Sequence, residues 1–264
     1  MFRTRSKRNT KKWVGNAMTP DVVVDIGNTR FKWGHCHHGS ITALVGLPDD
    51  VNAWQEQLTK WSIVSGSKWV LAGVHPERRD RLAQWLRDQS MTVEVITSHE
   101  QLPIEARVDE PSGVGIDRLL NGVAVAGHVH DGRQSIVIDA GTAVTVDAIS
   151  GEGVFMGGAI LPGVRLMARS LNDYTAKLPL VHLTEMVFPE PGRNTHDAIA
   201  VGICWALVGG VRELISEFSH DPSEPPNVFV TGGDAPLLLA VHPDAKLWTD
   251  CTLEGIRLAA ESWS

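Results

Sequence analysis

The sequence has little of several features that would point to particular protein classes. Its three cysteines, Cys36, Cys204 and Cys251, show no CxxC spacing, which argues against a disulfide framework and predicts reduced thiols in a cytoplasmic protein. No uninterrupted run of about 18 apolar residues occurs, so we expect no membrane-spanning segment. The absence of a GxxxxGK[ST] motif excludes a P-loop nucleotide site.

Charge is distributed unevenly along the chain. The first 17 residues carry six basic side chains and no acidic one, although the whole chain has 24 basic and 31 acidic residues and a net charge of −7. The acidic body argues against a nucleic-acid surface. The leader has no apolar segment behind it, so it is not a secretory signal, and we expect residues 1–17 to be a disordered arm. A transit-like peptide, translation begun upstream of a natural start at Met18, and an arm that binds nucleic acid are the alternatives.

Two stretches of the sequence resemble each other. Residues 22–29 and 136–143 are both β-branched runs that end in Asp-x-Gly-(Asn/Thr), and their aspartates, Asp25 and Asp139, lie half a chain apart. An internal repeat of this length predicts two similar lobes. In each half, three strand-like segments precede alternating helices and strands, a pattern typical of a mixed α/β sheet. We predict an α/β protein with an N-terminal lobe at 18–131, a C-terminal lobe at 132–264 and a ligand cleft between them.

The first repeat ends in a motif suited to binding phosphate. An aspartate at the end of a buried strand is followed by a glycine turn, whose backbone N–H groups can approach an anion closely. Asp25 can hold Mg²⁺, Thr29 adds a hydroxyl donor and Lys32 adds positive charge. A plain hairpin turn explains this motif equally well on its own, because Asp, Asn and Gly are common in turns.

The second repeat, from Asp139 to Thr145, favours the functional interpretation. Two Asp-x-Gly turns that face each other across a cleft can hold a triphosphate from both sides. Phosphoryl transfer depends on positioning, metal and hydrogen-bond donors, and paired turns of this kind supply them without a P-loop.

A third motif opens the helix that ends the first half, at residues 113–118. A helix start offers free N–H groups to an anion, Asp117 could accept a proton from a substrate hydroxyl, and Arg118 could pair with a substrate carboxylate or phosphate. The alternative is that both residues only favour the first helical turn or form a surface pair. Further along, Asn194 or Thr195 is a natural N-cap of a long apolar helix, and either could also bind a polar substrate.

Together these segments resemble the type III pantothenate kinase family. The similar stretches follow the family's order and extend over the chain after Met18, at residues 25–32, 115–118, 139–147, 155–163, 175–179, 194–195 and 231–234. The resemblance implies the actin-like and sugar-kinase superfamily, with two ribonuclease-H-like lobes and an ATP cleft between them. It also implies a homodimer that transfers the γ-phosphate of ATP to the 4′-hydroxyl of pantothenate, the first step of coenzyme A synthesis. Mg²⁺ and a monovalent cation, K⁺ or NH₄⁺, would be required.

The resemblance further implies roles for individual residues. Asp117 would be the catalytic base, Asp139 would sit at the monovalent cation, and Thr195 would contact pantothenate from the partner subunit. The ATP phosphates would be bound by Asp25, Ile26, Gly27, Asn28, Thr29, Arg30, Phe31, Lys32 and Thr142. The pantothenate site would be lined by Gly115, Ile116, Asp117, Arg118 and Thr195.

One departure from the family pattern bears on the substrate. Many relatives have a tyrosine shortly before the proline that precedes the Asp117 helix, whereas residues 107–111 here read Arg-Val-Asp-Glu-Pro and the only tyrosine is Tyr174. Two alternatives therefore stay open: a kinase for another hydroxyl substrate, and a non-catalytic regulatory relative such as a transcriptional accessory factor. The regulatory alternative predicts loss of the catalytic residues, yet the aspartates and the arginine are present.

Overall fold

The structure is a computed structural model that describes residues 18–183, 191–219, 223–239, 242 and 244–263. The leader predicted at residues 1–17 lies outside the described residues. Within them the chain forms two five-stranded sheets with helices packed on both faces of each sheet. This arrangement confirms the predicted mixed α/β fold with two similar lobes, whereas the lobe boundary at 131/132 stays a prediction.

The first sheet is built from the strands of the first half of the chain. Its central strand is the β-branched run after Asp21, which is buried along almost its whole length. The strands are β1 (Val22–Ile26), β2 (Phe31–His37), β3 (Ser40–Leu47), β4 (Lys68–Gly73) and β5 (Thr92–Val95). The helices of this half are α1 (Val51–Lys60), α2 (Pro76–Asp88) and α3 (Ile116–His128).

The second sheet repeats this plan with the strands of the second half. They are β6 (Ser135–Ala140), β7 (Ala143–Ile149), β8 (Phe155–Pro162), β9 (Asn227–Thr231) and β10 (Lys246–Leu247). The accompanying helices are α4 (Val164–Asp173), α5 (Thr195–Phe218), α6 (Ala235–Leu238) and α7 (Cys251–Ser262).

The two sheets have the same strand order, β3-β2-β1-β4-β5 and β8-β7-β6-β9-β10. The central strand of each sheet, β1 or β6, pairs antiparallel with the strand that follows it in the chain and parallel with β4 or β9 on its other side. A glycine lies at the carboxyl end of each of these parallel partners, Gly73 in β4 and Gly232 directly after β9, with φ of +152° and +95°. A Cβ on Gly73 would lie 2.3 Å from the Ile26 carbonyl oxygen, and a Cβ on Gly232 would lie 2.3 Å from the Ala140 carbonyl oxygen. In both lobes a glycine is therefore required where the backbone passes the end of the central strand.

Helices α3 and α7 join the halves of the molecule. Helix α3 packs on β6 and β7 of the second sheet and on β4 of the first, and α7, the last helix of the chain, packs on β1, β2 and β4 of the first. The two helices also pack against each other, and a Cβ at Gly255 would lie 2.0 Å from the Leu120 carbonyl oxygen. Their close approach brings the start of α3 next to the ends of both central strands.

The sequence predicts no membrane-spanning segment, yet helix α5 is long and apolar enough to be a candidate. Among the described residues it is the one helix that is long and apolar enough to cross a membrane, with a mean hydropathy of 1.8 over its most apolar window, of which 39% is buried. The apolar run at residues 198–211 is shorter than about 18 residues because Asp197 precedes it and Arg212 and Glu213 follow it, so the criterion of an uninterrupted run did not find it. Core helices of globular proteins have the same length and composition, so this property alone does not place α5 in a membrane.

Candidate active site

The turn between β1 and β2, residues 27–30, is the first of two turns that define the site. Asp25 lies directly across from Lys32 in the sheet, and their charged groups are 3.9 Å apart. The Gly27 N–H donates to the Arg30 carbonyl oxygen at 3.2 Å, which closes the turn and leaves Asn28 and Thr29 exposed. The predicted phosphate-binding segment, residues 25–32, is thus one continuous hairpin.

Arg78, near the start of α2, supports this turn and was not identified from the sequence. Its Nη1 donates to the carbonyl oxygens of Gly27 and Asn28 at 2.7 and 2.8 Å, and its Nε donates to Asp49 at 3.1 Å. The guanidinium also lies over the Phe31 ring, 4.6 Å from its centroid. Arg78 thus fixes two carbonyl oxygens of the turn from the side of α2.

The turn between β6 and β7 is the second, and it is supported by backbone groups. Gly141 N–H donates to the Ala143 carbonyl oxygen and Gly163 N–H donates to the Thr142 carbonyl oxygen, both at 3.0 Å. A Cβ at Gly163 would lie 2.6 Å from that Thr142 oxygen, so the contact needs glycine. Thr142 is exposed at the tip of the turn.

The two turns meet. The Oγ1 atoms of Thr29 and Thr142 are 3.4 Å apart, although the residues are separated by 113 positions. The structure therefore places the two predicted phosphate-binding turns face to face, in the arrangement that the internal repeat suggested.

The start of helix α3 adds Asp117 and Arg118 to this region. Gly115 is the N-cap residue, and a Cβ there would lie 2.6 Å from Asp117 Oδ1, so glycine makes room for the carboxylate. The same oxygen accepts the Arg118 backbone N–H at 2.9 Å. One turn further along, Asn121 Nδ2 donates to Asp139 Oδ2 at 3.2 Å. The Oδ1 of the same side chain accepts from the Thr252 hydroxyl of α7 at 2.9 Å. Helix α3 thus connects Asp117 to the second turn.

Arg118 has a partner within the chain. Its Nε donates to Asp147 Oδ1 at 2.9 Å and its Nη2 donates to the same oxygen at 2.5 Å. Asp147 is fully buried, so the surface pair that the sequence left open for Arg118 is wrong. Neither the internal repeat nor the helix start identified Asp147; the only available signal was a charged residue in the middle of an apolar strand.

Burial and neighbouring charges alter the acidity of the site. Burial raises the pKa of Asp25 from 3.8 to about 7; Lys32 opposes this shift, and Asp139 and Asp117 add to it. Burial, followed by the charge of Asp139, also raises the pKa of Asp117, against the opposing effect of the Arg118 backbone N–H. Two buried carboxyl groups whose pKa values are raised beside a third carboxyl form a functional-site candidate.

Thr195 does not join this cluster. It is the first residue of α5, follows the N-cap Asn194, and lines a groove of about 510 Å³ between α4 and α5. The other lining residues are mainly apolar and none comes from the two turns or the start of α3: Met167, Ser170, Leu171, Leu178, Ala198, Ile199, Gly202, Ile203 and Ala206.

The donors that could hold cations are few. In the part of the chain that the structure describes, no three His, Cys, Asp or Glu side chains cluster as a metal site. Thr231 is the parallel-sheet neighbour of Asp139, and its buried hydroxyl has no hydrogen-bond partner among the described residues. A carboxylate beside an unpaired hydroxyl is a donor set that suits a hard cation.

The site geometry can be compared with known proteins. The family model of type III pantothenate kinase matches residues 22–217 of the chain. The chain belongs to the type III pantothenate kinase family. Membership in this family makes it an ATP-dependent phosphotransferase.

Curated type III pantothenate kinases resemble the chain along most of its length. One from Acidiphilium cryptum is 33% identical over 259 residues, which cover 90% of this chain and 93% of the relative. Another, from Gluconobacter oxydans, is 41% identical over 253 residues, which cover 91% and 92% of the two chains.

Solved structures share the two-lobed actin-like fold of this type III pantothenate kinase family member. A conserved Campylobacter jejuni protein assigned to the Baf family of transcriptional activators superposes with a TM-score of 0.58 at 20% identity, covering 90% of this chain and 96% of that one. The activator of 2-hydroxyisocaproyl-CoA dehydratase from Clostridium difficile gives 0.54 at 12% identity, covering 91% and 93%. At these identities the similarity shows the fold alone.

Proposed function

We propose that this protein transfers the γ-phosphate of ATP to the 4′-hydroxyl of pantothenate, with Asp117 as the general base. The observation that carries the proposal is the convergence of two Asp-x-Gly turns on one point, where Thr29 and Thr142 are 3.4 Å apart and the start of α3 adds Asp117. Family membership supports the choice of substrate.

In this proposal the first turn binds the ATP phosphates through its N–H groups, Thr29 and Lys32. Arg78 holds the turn open towards the cleft, and Thr142 of the second turn contacts the nucleotide from the opposite side. The hydrogen-bond donors act in fixed positions, which is where phosphoryl-transfer enzymes obtain much of their rate enhancement.

Asp117 would accept the proton of the attacking hydroxyl. Its raised pKa brings the carboxylate closer to the working pH, where a general base is more effective. The substrate would lie against Gly115, Ile116 and Arg118. The guanidinium of Arg118 would bind the pantothenate carboxylate, because its planar fork matches a carboxylate.

The residues present fit the two cations that the family implies. Asp25 would hold Mg²⁺, which when bound neutralises charge on the transferred phosphoryl group; phosphates and water would complete its coordination, as is usual for Mg²⁺. Asp139 with the unpaired Thr231 hydroxyl would hold the monovalent cation. Asn121 orients the Asp139 carboxylate through the hydrogen bond to Oδ2.

We also propose a homodimer in which Thr195 reaches the pantothenate site of the partner subunit. Support comes from α5, whose outward face combines small residues with Trp205, 47% exposed, near an α4 that exposes Leu166. An apolar surface of this kind marks an interaction site in a protein that stays in solution. We propose action in the cytoplasm, which the cysteine pattern supports, and the acidic net charge argues against a nucleic-acid partner or an anionic membrane surface.

The regulatory alternative has one supporting fact, the name of the Campylobacter jejuni relative, which shares the fold at 20% identity. It predicts that the catalytic groups have been lost, whereas Asp25, Asp117 and Asp139 converge here.

The decisive experiment measures ADP release by the purified protein with ATP, Mg²⁺, K⁺ and pantothenate, against the same mixture without pantothenate and one with Na⁺ in place of K⁺. Release that depends on both pantothenate and K⁺ supports the proposal. If the protein binds the nucleotide but releases no ADP with any acceptor tested, the proposal is overturned in favour of the regulatory alternative. ADP release with a different hydroxy acid, and not with pantothenate, would change the assigned substrate.

A further inference from the structure

Asp147 is a buried carboxylate that the proposed reaction has not used. It lies on β7, fully buried, and both of its oxygens accept hydrogen bonds. Oδ1 accepts from Nε and Nη2 of Arg118, and Oδ2 accepts from the Thr145 hydroxyl at 3.1 Å and from Arg118 Nε at 3.2 Å. A Cβ at Gly158 on β8 would lie 2.5 Å from Oδ1, so the neighbouring strand leaves space for this carboxylate.

The contact with Asp147 fixes the direction of the Arg118 guanidinium. An arginine has five N–H donors in a rigid plane, and Asp147 occupies the Nε–Nη2 edge. The Phe155 ring lies on one face of the plane, 5.7 Å from the guanidinium carbon. Within the described chain, the outer edge formed by Nη1 and Nη2 carries no further hydrogen bond, and the side chain keeps 13% of its surface exposed. One edge is thus held by the protein while the other is available to a ligand.

We infer that Asp147 is a positioning residue for acceptor recognition, which holds Arg118 so that its outer edge faces the carboxylate of the acceptor substrate. The inference rests on the proposed function, in which Arg118 binds that carboxylate. It adds that the specificity for an acidic acceptor depends on a second-lobe residue that does not touch the substrate.

Chemistry explains why Arg118 needs this support. Arg118 is the neighbour of Asp117 in sequence, and an unrestrained guanidinium would pair with the nearest carboxylate, which is the proposed base. Such a pair would bind the base and turn the guanidinium away from the acceptor. Asp147 prevents this because both of its oxygens accept hydrogen bonds from Arg118, and a two-point charged contact is stronger than a single one.

The test compares two acceptors, pantothenate and its analogue with a primary alcohol in place of the carboxylate. The measured quantity is the ratio of kcat/KM for the acid to kcat/KM for the alcohol. In the Asp147→Asn variant we expect the ratio to fall about tenfold or more, the range expected for loss of a charged hydrogen bond, with the KM for ATP within about twofold. Arg118→Gln should lower the ratio at least as far, and Asp147→Asn should add nothing to it in that background.

Two controls separate positioning from a purely structural role. Glu254→Gln breaks another buried arginine–carboxylate pair, Arg257–Glu254, on α7, and is expected to lower the melting temperature without changing the ratio. If Asp147→Asn folds poorly, Thr145→Val removes only the hydrogen bond to Oδ2 and should give a smaller fall in the ratio.

The outcomes separate the two proposals. A ratio lowered by Arg118→Gln but unchanged in Asp147→Asn, or in Thr145→Val if the first variant does not fold, would overturn the role of Asp147 and leave the proposed function intact. A ratio unchanged by Arg118→Gln would overturn both the inference and the assignment of Arg118 to the carboxylate. If Asp147→Asn lowers kcat/KM equally for both acceptors and for ATP, Asp147 serves only the fold.

Discussion

The turn after β1 and the turn after β6 occupy matching places in sheets of the same strand order, but their side chains differ in charge. Two basic side chains lie beside the first turn: Lys32 lies across from Asp25, and Arg78 binds the carbonyl oxygens of the turn. In the second, Thr145 takes the place of Lys32 across from Asp139, and the next charged side chain along the strand is the buried Asp147.

The two turns are also supported differently. A side chain, Arg78, holds the carbonyl oxygens of the first turn, whereas backbone N–H groups of Gly163 and Asp234 hold the Thr142 and Ala140 carbonyl oxygens of the second. The comparison teaches that a repeated backbone can be divided between two tasks by charge. A basic turn suits phosphate, and an acidic turn suits a cation and, through Asp147, the placement of Arg118.

The largest expected effect separates binding by the turns from chemistry at α3. If the two turns alone bind ATP, Asp117→Asn should retain nucleotide affinity while kcat falls by about 10²–10⁴, the usual contribution of a general base. ADP release and nucleotide titration measure the two quantities. Asp88→Asn, an exposed carboxylate on α2, is the control and should keep wild-type turnover. Undiminished kcat in Asp117→Asn would remove this residue from the base role.

The next effect tests the division of charge directly. Lys32→Thr gives the first turn the residue that the second has at the matching position. We expect the Kd for ATP to rise about 10- to 100-fold, because a hydrogen bond to a charged phosphate contributes about 1.5–3 kcal/mol. Calorimetric titration with ATP measures it. Lys68→Thr changes an exposed lysine on the same sheet and should bind ATP as the wild type does; identical affinities of the two variants would contradict the division of charge.

Much of this arrangement could be predicted from the sequence, because its signals are local. The β-branched runs predict the central strands, and the repeated Asp-x-Gly predicts two turns that meet, as the contact between Thr29 and Thr142 confirms. Element boundaries shift only slightly: the apolar pattern predicts a third strand of the second half at 153–160, and the structure has β8 at Phe155–Pro162.

The supporting residues could not be predicted because their partners are distant in sequence. Arg78 lies 51 positions from Gly27, and Arg118 lies 29 from Asp147. Asn121, buried on an otherwise apolar helix face, has no sequence pattern that would indicate Asp139 as its partner. Such contacts arise from the packing of helices on sheets, and the relevant distances are fixed only in the folded chain.

A smaller effect is expected from the support of the first turn. Arg78→Lys keeps the charge but loses the fork that spans the Gly27 and Asn28 carbonyl oxygens and Asp49. We expect the Kd for ATP to rise by about two- to tenfold, the effect of one or two neutral-acceptor hydrogen bonds. Arg81→Lys is a matched control, since Arg81 also binds Asp49, at 2.6 Å, without contacting the turn. Equal affinities of the two variants would show that Arg78 does not shape the turn.

The smallest effect concerns the pH dependence of stability in the ligand-free, chelator-treated protein. The folded pKa of Asp25 is raised from 3.8 to about 7, so folding disfavours its carboxylate; the resulting destabilisation is absent below about pH 4 and complete above about pH 7. Asp25→Asn removes it. The melting temperature of the variant relative to wild type should therefore increase between pH 5 and pH 8, by about 2–4 °C for each kcal/mol of destabilisation that ionisation of Asp25 adds. Asp131 provides the opposite case, since hydrogen bonds, led by that from Asn227, lower its pKa to about 2. Stability from Asp131 is present above its unfolded pKa and is lost only as the pH falls towards 2, so Asp131→Asn should give a difference that is constant from pH 5 to pH 8. If the difference in melting temperature is constant for Asp25→Asn as well, Asp25 is ionised throughout this range. The basic side chains beside the first turn then outweigh the effect of burial on its pKa.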